Sequence, residues 1–250
     1  MNATLSVIVP VFNEEGTIRE ILEKVTSVEL LNGMKMEVLV VDDGSEDLTG
    51  KNVEEFSNAY PEVNLIHHRF RENRGKGAAI RKGVELAGGD YIIIQDADLE
   101  YDPREYNDLL KPMVEEVADV VYSSRFVGNH PHRILFFWHS IGNKVLTFLS
   151  NALTNLNLTD MESCYKLFRR EILRSITLKE NRFGFEPEVT AKIARIPGIR
   201  IYEVGISYYG RTYGEGKKIN WKDGMRAVYC ILKYNLPLIF SMKGKSGGKD

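Results

Sequence analysis

Apolar residues follow two rhythms along the first half of the chain. Short continuous runs occur at LSVIVPVF (5–12), MEVLVVDD (36–43), VNLIHH (63–68), DYIIIQD (90–96) and DVVYSS (119–124). Between them, apolar residues return every three or four positions. A short unbroken apolar run marks a strand buried on both faces, and a three-to-four spacing marks an amphipathic helix. The pattern predicts strands at the five runs and helices over 15–28, 47–60, 75–87 and 103–117. In the first helix Ile18, Ile21, Leu22 and Val25 share a face; in the third, Ala79, Ile80, Val84 and Ala87 do. Pro103 falls in the first turn of the fourth, where its missing N–H costs little. Strands alternating with helices predict an α/β fold, with a mostly parallel central sheet and helices on both faces.

After Ser124 the rhythm breaks. A loop is predicted over 125–135, a helix over 136–153, a strand at YKLFRR (165–170), a helix over 185–195 and a strand over 199–207. A glycine- and charge-rich loop follows at 208–220, and an amphipathic helix from about Trp221 to Tyr234. SMKGKSGGKD (241–250) reads as a disordered tail. No repeat and no Pro/Ser-rich linker divides the chain. The reading is one domain over 1–240, in which 1–124 bind one ligand and 125–240 supply a second binding half and a closing loop.

Composition removes several classes. The chain has 250 residues, 43% hydrophobic and 27% charged, as a soluble globular protein does. A formal charge of −2 gives no basic field for nucleic acid. Cys164 and Cys230 have no metal-binding spacing and suggest a reducing compartment. No basic segment precedes the first apolar run, so no signal peptide is read. No stretch reaches the ~20 apolar residues that span a bilayer; AVYCILKYNLPLIF (227–240) is broken by Lys233 and Pro237. The expectation is a cytoplasmic protein, with a peripheral position on the cytoplasmic face of a membrane left open.

The chemistry gathers where the strands end. In an open parallel sheet, ligands sit beyond the carboxyl ends of the strands. Strand one ends PVFNEE, strand two VDDGS and strand four QDADLE. Acids gathered on one rim repel unless a cation or donor groups join them. Asp96 and Asp98, two residues apart in an extended segment, face the same way. Two hard oxygen ligands suit Mg²⁺ or Mn²⁺, with water and a diphosphate completing the shell. The bland alternative is an acidic turn that caps the helix at Pro103. In VDDGS, one acid is expected to cap the next helix and the other to read a nucleotide. The glycine fingerprints of nicotinamide and P-loop sites are missing. NRGKGAA (73–79) reads as a tight turn, with Lys76 a weaker candidate for a phosphate contact. His130, His132 and His139 do not form a convincing metal pattern.

SVIVPVFNEEGTI, VLVVDDGSEDLT and GDYIIIQDADLEYDP, in this order and spacing, resemble the inverting glycosyltransferases of family two, which have the GT-A fold. Within that family the chain is most similar to polyprenyl- or dolichyl-phosphate sugar transferases. The residues carrying this are Arg211-Thr-Tyr-Gly-Glu-Gly-Lys217, matching R-x-Y-G-E-x-K, and SSRF at 123–126. The resemblance spans roughly residues 5 to 235. It implies a base pocket at Pro10, Phe12 and Glu14, where Phe12 replaces the usual tyrosine, and base and ribose contacts at Val41 and Asp43. It implies a metal and diphosphate motif at Asp96, Ala97 and Asp98, with Glu100 standing where a further ligand is often glutamine. Arg125 matches an arginine near the reacting phosphates, and Arg211 and Lys217 match a loop that closes over the donor.

The implied reaction moves a sugar, with inversion, from a nucleoside-diphosphate sugar of GDP-mannose or UDP-glucose type to a lipid phosphate. Asp98, Arg125, Arg211 and Lys217 are the catalytic candidates, and Arg133 joins Arg125 in aiming the acceptor. The alternatives are a hydroxyl acceptor, a sugar-phosphate nucleotidyltransferase, and a non-catalytic scaffold. For the hydroxyl acceptor, TDMES supplies Asp160 and Glu162 near where the broader family places a base, Asp160 being the one named. The nucleotidyltransferase would want a glycine-rich loop where PVFNEE stands. The family often carries C-terminal membrane spans, which this sequence lacks. The helix from Trp221 and the segment HPHRILFFWHSIGNKVLTFL (130–149) suit either a membrane surface or a core.

Overall fold

Among the described residues, seven strands form one sheet: β1 (Thr4–Val11), β2 (Lys35–Asp42), β3 (Leu65–Arg69), β4 (Tyr91–Ile94), β5 (Val120–Ser124), β6 (Lys166–Arg169) and β7 (Ile201–Gly205). A computed structural model describes residues 3–128, 131–134, 136–212 and 221–243, the last stretch with side chains to Leu236. The strand order is β3-β2-β1-β4-β6-β5-β7. Of these strands, β6 alone runs antiparallel to its neighbours. Every residue from Leu5 to Val11 is buried, so both faces of β1 are covered, as its unbroken apolar run requires. The edge strands β3 and β7 are half-buried.

The helices are α1 (Ile18–Thr26), α2 (Thr49–Ala59), α3 (Lys76–Leu86), α4 (Tyr106–Val114), α5 (Phe137–Thr154), α6 (Arg170–Ser175), α7 (Phe185–Ile193) and α8 (Trp221–Lys243). Of these, α3 packs on β1 and β2, α4 packs on β5, β6 and β7, and α8 packs on α5 and α7. The four residues predicted to face the core from α1 are all fully buried.

Several boundaries differ from the pattern. The helix predicted over 103–117 is a 3-10 turn at Pro103–Glu105 followed by α4. Asp102 caps the turn by accepting the Arg104 N–H at 3.0 Å, and Glu116 ends α4 with a left-handed φ of 58°. β4 stops at Ile94, and Gln95–Glu100 turn back over the strand end, with Leu99 at φ 62°. YKLFRR splits into antiparallel β6 and the unpredicted α6. α8 does not stop at Tyr234: it runs through Pro237 to Lys243, because one proline removes a single backbone bond without forcing an end. Residues 241–243 are therefore helical rather than tail, and 244–250 lie outside the described residues. In the loop predicted over 125–135, His132 pairs with Tyr208 in an isolated bridge.

Candidate active site

The strand order reverses at β1: β2 and β3 lie on one side of it and β4 on the other. Loops leaving the ends of β1 and β4 diverge there and leave a crevice. Because β6 is antiparallel, its beginning rather than its end meets the same rim. The sheet thus delivers PVFNE, QDADLE and the TDMESC segment to one place. They line a cleft of about 530 Å³ with seven carboxylates and four cations among the lining residues.

The two acids of VDDGS divide their work. Asp42 is buried and accepts the Ser45 N–H at 2.8 Å, which closes the turn. Asp43 lines the cleft, and its two oxygens accept the N–H groups of Arg74 (2.8 Å) and Gly75 (2.7 Å). Burial raises its pKa against the pull of those two bonds. Gly75 has φ 99°, and a Cβ there would meet the Asn181 carbonyl oxygen at 2.3 Å, so only glycine fits. Pro10, Phe12 and Glu14 line the cleft as expected. Val41 is fully buried in β2 and is not among the lining residues.

Past β4, Asp96 meets Lys76 Nζ at 2.9 Å, and Arg211 lies 3.3 Å from Asp98. Burial, then the charges of Asp96 and Glu100, push the Asp98 carboxyl up to about 7. Glu100 is occupied by protein donors: Tyr208 Oη at 2.7 Å on one oxygen and the Arg211 backbone N–H at 2.7 Å on the other. Its own carbonyl accepts the Tyr209 N–H. Glu100 therefore latches residues 208–211 over the acidic turn. Arg133 donates to the Gly210 carbonyl at 2.9 Å and helps hold that segment; it is not among the lining residues. The Arg211 guanidinium also reaches both Glu14 oxygens at 3.4 Å. Lys217 and His130 lie outside the described residues.

Arg125 lines the cleft on a buried pair. Its Nε and NH2 donate to Asp160 at 2.6 and 2.7 Å, its backbone N–H adds 3.1 Å, and Asn143 donates at 3.0 Å. The guanidinium stacks over the Tyr208 ring at 5.2 Å. Burial pushes the Asp160 carboxyl up, but Arg125 outweighs it and holds the group below its ordinary value. Asp160 is wholly buried and donor-saturated, so it is poorly placed to act as a base.

The cleft also holds residues that the motifs did not assign. Glu186, from the first turn of α7, lies 3.5 Å from Lys76 Nζ, and its Oε2 is buried with no hydrogen-bond partner. Glu162 Oε1 is in the same condition. Burial, then the Glu186 charge, push Glu162 up to about 8. Lys166 is fully buried at the start of β6, which lowers its pKa, and its Nζ donates to the Ser163 carbonyl. TDMES marked Glu162 weakly, whereas Glu186 sits in an ordinary helix pattern without a local signal.

Asp96, Asp98 and Glu100 do not form a three-ligand set, and no group of three His, Cys, Asp or Glu side chains could hold a metal among the described residues. Two carboxylates in a cleft with excess acid still fit Mg²⁺ or Mn²⁺, which characteristically takes one or two carboxylates and completes its shell with phosphate and water.

A family profile described as Glycosyl transferase family 2 matches residues 6–177. Similar proteins include a dodecaprenyl-phosphate galacturonate synthase of Rhizobium johnstonii, 25% identical over 97% of this chain and 68% of its own. A dolichol-phosphate mannosyltransferase of Pyrococcus furiosus is 27% identical over 97% of this chain and 69% of its own. Among solved structures, glucosyl-3-phosphoglycerate synthase of Mycobacterium tuberculosis, in complex with Mn²⁺, UDP and glucosyl-3-phosphoglycerate, superposes with a TM-score of 0.70 at 20% identity. That match covers 93% of this chain and 80% of the other, and it shows a shared GT-A fold.

Proposed function

The chain belongs to glycosyl transferase family 2, and from that premise we propose that it transfers a sugar from a nucleoside-diphosphate sugar to a polyprenyl or dolichyl phosphate, inverting the anomeric carbon. The observation that carries the acceptor class is the Arg125–Asp160 pair. Asp160, the base candidate for a hydroxyl acceptor, is consumed by Arg125. An acceptor phosphate is already anionic and needs a cation to aim it rather than a base to ionise it. The polyprenyl- and dolichol-phosphate names of the similar proteins support the same class.

The catalytic domain spans 1–240 in this reading. The base lies by Pro10 and Phe12, and the 73–75 turn fixed by Asp43 closes that end. Asp96 and Asp98 would hold Mg²⁺ or Mn²⁺, which neutralises charge on the diphosphate. An acceptor oxygen attacks the anomeric carbon from the face opposite the diphosphate. The bond from that carbon to the diphosphate oxygen breaks, and its electron pair leaves on the diphosphate. Arg211, latched through Glu100, stands beside that charge, with Lys217 in the same role. Arg125 orients the acceptor phosphate, and Arg133 supports it through the 208–211 segment.

The lipid tail needs a place to approach. Phe137, Ile141, Val145 and Phe148 recur at successive turns of α5 and are exposed, Phe148 by 70%. On α8, which packs against α5, Met225, Tyr229, Leu232 and Leu236 do the same. This double stripe is a face for peripheral contact with a membrane surface. No helix among the described residues is long and apolar enough to cross a membrane.

The test offers purified protein a panel of labelled sugar nucleotides with polyprenyl phosphate and Mn²⁺, and partitions the products. Label moving to the organic phase with one donor, and absent with Asp98→Ala, is the expected result. Water-soluble product alone, or no transfer from any donor, rejects the proposal. Phe148→Glu should weaken liposome flotation; unchanged flotation rejects the membrane face.

A further inference from the structure

We infer that Glu162 and Glu186 read the hydroxyl groups of the donor sugar and select a neutral hexose over a uronic acid. This rests on the donor site proposed above and extends it to the identity of the sugar. The placement follows from the sheet. Pro10 and Asp43 stand over β1 and β2, Asp96 and Asp98 over β4, and Glu162 before β6, the next strand. A nucleotide whose base lies at the first of these and whose diphosphate lies at the second carries its sugar to the third. Glu186 reaches the same point from α7, beyond Lys76.

Both carboxyls line the cleft, and each has one buried oxygen without a hydrogen-bond partner. Glu186 as a residue is only 5% exposed. Buried acceptors left unpaired are costly, and a ligand that supplies donors removes the cost. Sugar hydroxyls are such donors. The neighbouring cations do not fill the role: Lys76 is held closer by Asp96, at 2.9 against 3.5 Å, and Lys166 donates to the Ser163 carbonyl. A uronic acid replaces a hydroxymethyl donor with a carboxylate, which meets the Glu186 acceptor and brings a further charge to a place where burial and Glu186 already push Glu162 toward its neutral form. The site discriminates by what it leaves unpaired, a stronger filter than shape.

Calorimetry with the full chain and Mn²⁺ tests this, using UDP, UDP-glucose and UDP-glucuronate alongside GDP, GDP-mannose and GDP-mannuronate. For whichever nucleotide binds, the neutral sugar nucleotide should bind about tenfold or more tighter than its uronate partner. Glu186→Ala and, separately, Glu162→Ala should weaken the neutral sugar nucleotide about tenfold while the bare diphosphate stays within about twofold. The bare diphosphate also reports that each variant is folded. Uronate binding as tight as the neutral sugar overturns the inference with no variant needed. It also falls if both substitutions leave the neutral sugar nucleotide unchanged, or weaken it and the diphosphate alike. If wild-type protein binds neither UDP nor GDP, the donor site itself is refuted, and this inference with it.

Discussion

Replacing Asp160 by asparagine separates two roles that one carboxylate can play. The structure has Asp160 wholly buried and receiving four hydrogen bonds, three from Arg125 and one from Asn143. Asparagine keeps one acceptor oxygen but turns two N–H donors toward a guanidinium that is itself mostly buried, with 16% of its side chain exposed. Breaking a buried pair from one side costs about 3–5 kcal/mol, because the other charge is left uncompensated. Taking about 3 kcal/mol, and about 2–4 °C per kcal/mol for a chain of this size, the variant should melt about 6–12 °C lower.

The pH dependence has a definite sign. Asp160 is held below its unfolded pKa in the folded state, so its contribution is full above about pH 4 and fades as pH falls further. The gap between wild type and Asp160→Asn in scanning calorimetry should therefore be constant near neutrality and close in acid. Transfer should fall because Arg125 loses its bearing, yet the shape of the pH–rate profile should persist. A general base behaves otherwise: its loss costs about a hundred- to ten-thousandfold in rate and deletes a titrating limb. An Asp160→Asn protein that melts with wild type and loses that limb would refute the positioning role, and with it the case for a phosphate acceptor.

Asp98→Asn should abolish the Mn²⁺ binding heat and lower transfer by about a thousandfold or more. Without metal it should melt at least as high as wild type above pH 7, since burial beside Asp96 and Glu100 makes the charged form unfavourable there. Glu180 accepts from Arg226, Lys233 and Tyr234, and its pKa is lowered to about 2: burial opposes that shift, and those three bonds outweigh it. Its contribution is present above about pH 4.5 and is lost toward pH 2; Glu180→Gln should cost about 1–2 kcal/mol near neutrality, because both cations lie near the surface. Gly77→Ala puts a Cβ at 2.4 Å from the Glu180 backbone oxygen, and thermal melting should register a loss of about 1–3 kcal/mol.

What could be read from the chain was whatever is local. The continuous apolar runs located the strands, and the acids placed directly after them marked the rim that holds the cleft. VDDGS was legible only in part: Asp43 lines the cleft, but Asp42 closes its own turn on the Ser45 N–H rather than capping the next helix, where the Thr49 N–H goes to Asp47. The reversed direction of β6 was not legible, since a four-residue strand with two apolar residues reads alike in either direction. The commitment of Asp160 to Arg125 joins residues 35 apart, and that of Glu100 to Tyr208 joins residues 108 apart. Neither has a period or a turn to announce it. Glu100 accordingly carried the resemblance's metal role in the sequence, while the structure has its oxygens on the segment it latches.

The direction of β6 also explains how one cleft could serve both substrates of the proposed reaction. Had β6 run parallel, its far end would meet the rim, and residues 160–164 would lie at the opposite edge of the sheet. Running antiparallel, it brings Asp160, Glu162 and Cys164 beside the turn after β4, and α7 follows to add Glu186. Asp160 then hands its charge to Arg125, which leaves β5, the strand beyond β6. Across the rim the groups change in order, from the base end over β2 and β1, through the carboxylate pair after β4, to unpaired acceptors before β6 and a cation after β5. In the proposed reaction a donor laid along that line would point its sugar toward Arg125, the side from which an acceptor phosphate would attack for inversion. The helix that follows Arg125 in the chain is α5, with its exposed apolar stripe, so the chain that supplies the acceptor's cation also supplies the surface its tail would need.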